Sequence, residues 1–292
     1  MTTNVTVGAP PTSEITPGEI AAKAGLTRIG RRPSLPAYLR QIWQRRHFLF
    51  ELAKSRFVSR NQQDRLGMFW NVLRPCIEAA VYSTVFGLLF QRTDPFAWIA
   101  YVTSGVFVYR FSQQTLTAGA KAVTGNLSMI RAMRFPRAVL PMATVLLELF
   151  SMVPVVLVLA LIVALTGNTP SLSWLLVVPA VLVQSLFNFG MAFTFARITI
   201  HVRDFTQLLP FIMRLAFYMS AVFYTLERFP AWARDIMAVN PFYTYISMVR
   251  QATLDAYSVS LGTWLIGGAW AVGTLLFGFV FFWRAEERYG RG

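Results

Sequence analysis

The sequence predicts an all-α membrane protein with six transmembrane helices, an N-terminal amphipathic interfacial helix and two short re-entrant outer helices. Composition is the first indication: 55% of the 292 residues are hydrophobic and 14% are charged, whereas about 25% of the residues in a soluble domain are charged. The apolar residues also cluster in runs of about 20 residues, the length that crosses a bilayer as a helix. The third indication is that most basic residues flank these runs on one side.

Four regions follow from this pattern. Residues 1–36 are dominated by Thr, Pro, Gly and Ala and lack an apolar core, so we predict a disordered cytoplasmic tail and no signal peptide there. Residues 37–70 are predicted to be the amphipathic interfacial helix region. Residues 71–283 form the six-helix transmembrane domain, and residues 284–292 form a cytoplasmic C-terminal tail.

The amphipathic pattern covers residues 37–62. Apolar side chains recur near helical spacing at Tyr38, Ile42, Ala53 and Phe57. Basic residues lie between them, at Arg40, Arg45, Arg46, Lys54 and Arg56. This is typical of a helix lying in the cytoplasmic interface of a membrane. An ordinary solvated helix is the alternative, and it would leave several aromatic side chains in water.

Six apolar runs are long enough to cross a membrane. They cover residues 71–90, 97–116, 138–165, 172–200, 206–224 and 262–283. The third and fourth runs contain Pro154 and Pro179, which predict tilting or kinking of these helices.

Orientation follows from the basic residues. With the N terminus inside, and Arg74 at the start of the first run counted as cytoplasmic, the cytoplasmic segments carry 20 Lys and Arg, the outer segments carry 4, and the rest of the runs carries 3. The positive-inside rule therefore predicts that both termini are cytoplasmic. The net charge of +14 is concentrated before the first run, which indicates an anchor against anionic lipid and makes nucleic-acid binding a minor alternative.

Residues 225–261 are predicted to be more than a loop. The dipeptide Asn240-Pro241 divides them into two apolar pieces, each too short to cross a bilayer. We expect two short helices that dip into the outer leaflet. A plain interfacial loop is the alternative.

The sequence lacks the residues for a P-loop nucleotide site and for a usual zinc site. A P-loop needs Gly-Lys-Ser or Gly-Lys-Thr to cradle phosphates, but Lys23, Lys54 and Lys121 each follow an alanine. Two histidines and the single Cys76 are too few for a usual zinc site. The sequence therefore predicts no cofactor, no metal and no ATPase activity in this chain.

Four of the ionisable residues within the runs indicate function, because charges in a bilayer are costly. They are Glu78, Arg110, Glu148 and Arg214. Counted from the cytoplasmic end, they lie roughly 10 to 15 Å deep. We hypothesise that the two glutamates pair with the two arginines, across helices or across a subunit interface. The alternative is that each arginine snorkels separately to the interface.

Aromatic residues are abundant in the runs. Those considered for a path along which sugar rings could slide are Tyr82, Phe86, Tyr101, Phe193, Phe217 and Tyr224. Only their collective excess indicates a glycan conduit, since any single one can equally face lipid or pack between helices.

Residues 37–288 resemble the membrane subunits of ABC type-2 exporters, specifically those that export lipid-linked polysaccharides. The resemblance rests on several short motifs in order. They are Arg56-Phe57 with Leu66-Gly67 and Trp70 to Pro75, Asn126-Leu127 with Phe135-Pro136-Arg137 and Leu140-Pro141, Arg203-Asp204-Phe205, Ser220-Ala221-Val222-Phe223-Tyr224, and Asn240-Pro241 with Arg250. Ala221 stands where the family usually has proline, and Phe57 where it usually has tyrosine.

The resemblance implies a homodimer in the bacterial cytoplasmic membrane, with two copies of a cytoplasmic ABC ATPase that bind the ATP and Mg. Residues implied to dock the ATPase are Lys121, Asn126, Arg131, Arg134, Phe135 and Arg137. Cations implied to meet the diphosphate of the lipid-linked glycan as it enters are Arg40, Arg45, Arg46, Arg56 and Arg60. The implied outer gate comprises Trp232, Asn240, Pro241, Tyr243 and Arg250.

Arg outnumbers Lys by 24 to 3, which together with the resemblance indicates an actinobacterial galactan-precursor exporter as one specific identity. Two alternatives stay open. One is a drug or small-lipid exporter of the same superfamily. The other is a membrane-embedded glycosyl- or acyltransferase, which should show clustered histidines and carboxylates near one membrane face.

Overall fold

The computed structural model describes residues 33–62, 67–91, 93–133, 135–226 and 229–289, with the side chain of Arg288 left out. Regular structure in these ranges is entirely helical, as predicted. The first helices are α1 Leu35–Gln44, α2 Arg46–Gln62, α3 Phe69–Leu89, α4 Pro95–Ala120, α5 Leu127–Ala132 and α6 Val139–Leu165. They are followed by α7 Val177–His201, α8 Phe205–Tyr218, α9 Ala231–Val239, α10 Pro241–Thr253 and α11 Leu261–Trp283.

Four helical segments in the described ranges are long and apolar enough to cross a membrane. They are Phe69–Leu89, Val139–Leu165, Leu172–His201 and Leu261–Trp283, and each matches a predicted run. The third consists of α7 and the 3-10 turn that precedes it. Six spans therefore stay a prediction, because the other two runs behave differently.

Those two runs correspond to α4 and α8. Helix α4 has 26 residues, enough for about 39 Å of length, but Ser, Thr, Gln and Arg110 make it less apolar. Helix α8 has only 14 residues, which give about 21 Å. The predicted run 206–224 is thus not one helix: the chain turns after Tyr218, where Ala221 adopts a φ of 50°.

The predicted amphipathic segment 37–62 forms two helices that meet at Arg45. Tyr38 and Ile42 of α1 and Leu49 and Ala53 of α2 are buried, and α2 packs along α6. Trp43 and Phe50 are exposed by 69% and 52%. This outward apolar surface suits a membrane interface, where the segment was predicted to lie.

Helix α4 is central, because it contacts α3, α6, α7 and α10 and buries most of its length. Helices α7 and α11 form the closest pair in the bundle. A Cβ on Gly190 would lie 2.2 Å from the backbone of Thr274, and one on Gly278 would lie 2.0 Å from the carbonyl oxygen of Gly190. Only glycine permits this backbone approach.

The two prolines singled out in the sequence differ in position. Pro154 lies inside α6, which continues without interruption from Val139 to Leu165. Pro179 lies in the first turn of α7, where backbone N–H groups have no intrahelical partner anyway. Proline therefore costs no helical hydrogen bond there, and this residue gives no reason for a kink in α7.

The predicted break at Asn240-Pro241 is present. Helix α9 ends at Val239 and α10 begins at Pro241, with the Asn240 side chain accepting a hydrogen bond of 2.9 Å from the Phe242 N–H. Proline at the first helical position is favoured because its missing N–H would be unpaired in any case. The two helices are unequal: α10 is largely buried, whereas α9 has no buried residue.

Candidate functional site

A polar cavity of about 520 Å³ lies between the end of α2 and helices α3, α4, α6 and α8. Its charged lining consists of four cations, Arg60, Arg74, Arg110 and Lys121, and one carboxylate, Glu148. Neutral polar side chains complete it: Asn61, Asn71, Gln113, Gln114 and Thr117. The excess of positive charge and of hydrogen-bond donors is chemically suited to an anion.

Helical spacing explains how the lining is assembled. Arg110, Gln114 and Thr117 on α4, and Lys121 directly after its last residue, follow each other at intervals of three or four residues, which places them on one face. Gln113, three residues after Arg110, lies beside them. Trp70 and Arg74 are four residues apart on α3, and the guanidinium of Arg74 lies 5.5 Å from the Trp70 ring centre. Sequence reasoning did not assign Arg74 to the site, although its spacing from Trp70 and Asn71 carried that signal.

Arg60 and Glu148 form an ion pair at the cavity wall. The Nη1 of Arg60 lies 2.7 Å from the Oε1 of Glu148, and its Nη2 donates to the Oγ of Ser151. Glu148 is 5% exposed, whereas Arg60 is 37% exposed. The pair connects α2 at the periphery to α6 in the bundle.

Glu78 of α3 and Arg110 of α4 form a second ion pair, as one of the hypothesised pairings required. Arg110 and Arg214 were the hypothesised partners of Glu148, across helices or across a subunit interface. Within the chain Glu148 pairs instead with Arg60, which lies before the predicted runs, and pairing between subunits stays a prediction. Arg214 has an exposed side chain on the short helix α8.

The segment between α4 and α6 was predicted to dock an ATPase. Its Asn126 accepts a 2.7 Å hydrogen bond from the Nη2 of Arg56. Phe135 packs on Phe48, with ring centres 5.6 Å apart. Burial lowers the pKa of Arg56. Arg131 and Lys121 are exposed, and Arg134 lies outside the described residues. Residues predicted for docking thus contact residues predicted for substrate access.

A buried cluster that we name the terminal latch joins Tyr38, Arg137 and Glu286. Glu286 accepts a 2.8 Å bond from the Tyr38 hydroxyl and a 3.0 Å bond from the Arg137 N–H, while the Arg137 Nη1 donates to the Glu286 carbonyl oxygen at 2.6 Å. Burial raises the pKa of Glu286 despite these donors, and burial also raises the pKa of Tyr38. Sequence reasoning missed Glu286 because it lies in a short, charged C-terminal segment without a periodic signal.

The remaining cations predicted for substrate access point outward. Arg40, Arg45 and Arg46 are exposed, and the guanidinium of Arg46 lies 5.2 Å from the centre of the Trp43 ring. They are separate from the cavity, which Arg60 alone of that set lines.

Arg250, predicted in the outer gate, is instead 2% exposed. Its Nη1 and Nη2 donate to the carbonyl oxygens of Ala221 at 3.0 Å, Tyr101 at 3.0 Å and Val222 at 3.1 Å. The guanidinium also lies 3.4 Å from the Tyr101 ring centre. We name this arrangement the arginine anchor. Of the other predicted gate residues, Trp232 is 69% exposed on α9, and Asn240, Pro241 and Tyr243 lie at the start of α10.

The aromatic residues considered for a conduit fall into separate groups. Tyr82, Phe86 and Phe217 surround Phe223, with ring centres 4.9, 4.5 and 4.9 Å away. Phe193 lies elsewhere, 5.5 Å from Phe282. Tyr101 connects to Phe86 through the rings of Trp98 and Phe90. Its hydroxyl donates to the carbonyl oxygen of Tyr224 at 2.6 Å. Within one chain these rings pack against each other.

The comparisons with known proteins agree with this architecture. The model of the ABC-2 type transporter family matches residues 48–254, which include every residue that lines the cavity. An O-antigen export system permease protein RfbA of Klebsiella pneumoniae is 26% identical over 197 residues, which are 67% of this chain and 76% of that protein. A protein of the same name from Myxococcus xanthus is 26% identical over 215 residues, 72% of this chain and 81% of its own length. With its apolar helices and a match over more than half its length, the chain belongs to the ABC-2 type transporter family of membrane permeases.

Proposed function

We propose that this chain is the membrane subunit of an ATP-driven exporter that moves a lipid-linked polysaccharide across the bacterial cytoplasmic membrane. The observation that carries the proposal is the basic cavity beside the two N-terminal helices. A polysaccharide carried on a lipid diphosphate presents its anionic group at the depth of the bilayer surface. The names of the relatives, O-antigen export permeases, support the same substrate class.

The cavity favours a phosphate-bearing lipid over other cargo. Arginine guanidinium groups bind phosphate oxygens through paired, charge-assisted hydrogen bonds, and three arginines line this cavity. The same charges repel a cationic drug, which disfavours the drug-exporter alternative. The neutral polar residues on α4 offer further donors and acceptors to a sugar.

The energy source in this proposal is a separate cytoplasmic ATPase, two copies of which bind a homodimer of this chain. The segment formed by Lys121, α5 and Arg137 would be its docking surface, with exposed Lys121 and Arg131 facing an acidic partner. Arg56 would transmit docking to α2 through its hydrogen bond with Asn126. ATP and Mg would be bound by the partner alone.

The proposed topology has six spans and two cytoplasmic termini. Helix α4 would cross the membrane enclosed by α3, α6, α7 and α10, so that its polar residues meet protein and not lipid. Helix α8 and the turn that follows it would complete the fifth span.

Depletion of the chain in its host tests the proposal. We expect lipid-linked glycan to accumulate on the cytoplasmic side, as measured by extraction and by accessibility to a membrane-impermeant glycosidase. Complementation with the wild-type chain should restore export. An unchanged glycan distribution together with altered drug sensitivity would assign the chain to drug export instead.

A further inference from the structure

Glu148 is an unexpected component of an anion site. It is the single carboxylate among the charged side chains described around the cavity, and it lies at the wall that Arg60 closes. Its side chain is 5% exposed and projects from α6, the most apolar of the long helices. A buried carboxylate in such a helix needs a cationic partner while it is ionised.

Arg60 is well placed to exchange partners. It comes from the peripheral helix α2 and keeps 37% of its side chain exposed. In the described part of the chain its Nε is buried without a hydrogen-bond partner, so the guanidinium has an unused donor beside Glu148. It is thus only partly satisfied in its present position.

A second cation is available to Glu148. A small pocket of about 20 Å³ adjoins the cavity and is lined by Glu148, Ser151 and Arg110. Arg110 presently pairs with Glu78, whose side chain is 31% exposed and can be hydrated. Glu148 would therefore not be left alone if Arg60 turned to another anion.

We propose that Glu148 is an internal counter-ion that holds Arg60 while the cavity is empty, and that the phosphate groups of an anionic lipid displace it. This inference rests on the proposed function and specifies how its site is regulated. Lipid phosphate takes Arg60, and Glu148 turns toward Arg110. Since α2 carries Arg60 and contacts the docking segment through Arg56, the exchange would report an occupied cavity to the ATPase surface.

The direction in which phosphate affinity changes when Glu148 is neutralised distinguishes a counter-ion from a structural residue. A carboxylate that competes with phosphate for Arg60 weakens phosphate binding, so its neutralisation should tighten binding. A carboxylate that merely holds the fold together should have no such effect. Couplings of this kind are commonly about 5- to 150-fold.

The experiment measures ligand binding to the chain with its ATPase partner in phosphatidylcholine nanodiscs. The probes are farnesyl diphosphate, inorganic diphosphate and farnesol. Glu148→Gln is the principal variant, because glutamine keeps an oxygen that can accept from Arg60. Glu51→Gln is the matched control: Glu51 is exposed on α2, and its neutralisation changes the net charge by the same amount.

We expect Glu148→Gln to bind farnesyl diphosphate on the order of tenfold more tightly than wild type, while Glu51→Gln stays at the wild-type value. Farnesol, which lacks the diphosphate, should bind both variants with the same affinity as it binds wild type. Ser151→Ala, which removes an acceptor of Arg60 without changing charge, should give a smaller gain and provides the test if Glu148→Gln does not fold.

Wild-type affinity in both Glu148→Gln and Ser151→Ala would overturn the counter-ion role and leave the proposed function intact. An equal gain in Glu51→Gln would overturn it as well, because bulk charge would then explain the effect. If inorganic diphosphate binds as tightly as farnesyl diphosphate, the ligand is free diphosphate and the proposal that it is a lipid is overturned. Failure of wild type to bind farnesyl diphosphate at all would contradict the proposed function itself.

Discussion

Arginine is used in opposite ways at the two ends of the bundle. At the basic cavity, Arg60 and Arg110 pair with carboxylates and retain 37% and 28% of their side-chain exposure. At the other end, Arg250 is 2% exposed and binds three backbone carbonyl oxygens and the face of Tyr101. None of these contacts involves a carboxylate.

This difference indicates that the arginines of the basic cavity serve binding, whereas Arg250 serves the stability of the fold. A carboxylate on a side chain can rotate, become hydrated or change partners, so an ion pair with a partly exposed member can reorganise when a ligand arrives. Backbone carbonyls cannot leave without disturbing the chain that carries them, and each would be costly to bury unpaired. We therefore expect changes at the arginine anchor to alter folding and changes at the cavity to alter binding.

The largest effect is expected at Arg250. Replacement by alanine removes the charged donor from three buried carbonyls. Those of Tyr101 and Ala221 keep the Ser104 Oγ and the Tyr101 hydroxyl as donors, so the carbonyl of Val222 depends most on Arg250. We expect a loss of about 3–5 kcal/mol of stability and little folded protein, since a hydrogen bond to a charged group contributes about 1.5–3 kcal/mol. Yield and thermal unfolding in detergent measure it. Arg234→Ala, at an exposed position on α9, is the control, and equal stability of the two variants would show that Arg250 is no anchor.

A methyl group beside the anchor should have the next largest effect. A Cβ on Gly105 would lie 2.7 Å from the Nη2 of Arg250 and 3.2 Å from the Cγ1 of Val222, so Gly105→Ala should destabilise by about 1–3 kcal/mol. Gly273→Ala is the matched control, since nothing lies within 4 Å of its Cβ position. The melting temperatures of both variants decide this, and a stable Gly105→Ala protein would mean that the anchor is loosely packed.

Arg74 tests the opposite expectation at the cavity. Its exposed side chain stacks on Trp70, so Arg74→Ala should change stability by no more than about 0.5 kcal/mol. Binding of farnesyl diphosphate should weaken by about 1.5–3 kcal/mol, the usual value of a hydrogen bond to a charged group. Arg203→Ala, exposed and outside the cavity, should bind normally. A loss of stability with unchanged binding would reverse the distinction between the two ends.

Ala221 provides a further test of the arginine anchor. Its carbonyl oxygen accepts from Arg250, and its φ is 50°. An L-residue pays about 1–2 kcal/mol in this left-handed region, which glycine avoids. Ala221→Gly should therefore raise the melting temperature slightly. Ala221→Pro should lower it strongly, because proline fixes φ near −65°. A stable proline variant would mean that this turn can adopt another backbone conformation.

The terminal latch predicts a small pH effect. Burial raises the pKa of Glu286, so the folded protein holds the proton more firmly than the unfolded chain does. This contribution is complete below the ordinary carboxyl pKa and is lost as the pH rises through the raised value. Thermal stability should fall across that window in wild type. In Glu286→Gln the fall should be smaller, and an equal fall would assign it to other groups.

The sequence predicted the long helices well, since runs of about 20 apolar residues are a local signal. Partner choice was harder, because it depends on how helices rotate against each other. Glu148 pairs with a residue 88 positions away that lies before the first apolar run. Arg250 was assigned to the outer side by its position along the chain, and only the fold shows the carbonyls that surround it. One indication in the sequence that α8 ends early was the departure from the family pattern at Ala221.

The glycine contact between α7 and α11 restricts where this permease can change shape. With Gly190 and Gly278 touching through their backbones, neither helix can turn about its own axis or slide without a collision, so the two travel as one piece. A passage wide enough for a polymer must then open along another seam. The flank formed by α3 and α8, which borders the basic cavity and is joined by side chains such as Tyr82 and Phe217, is one such seam.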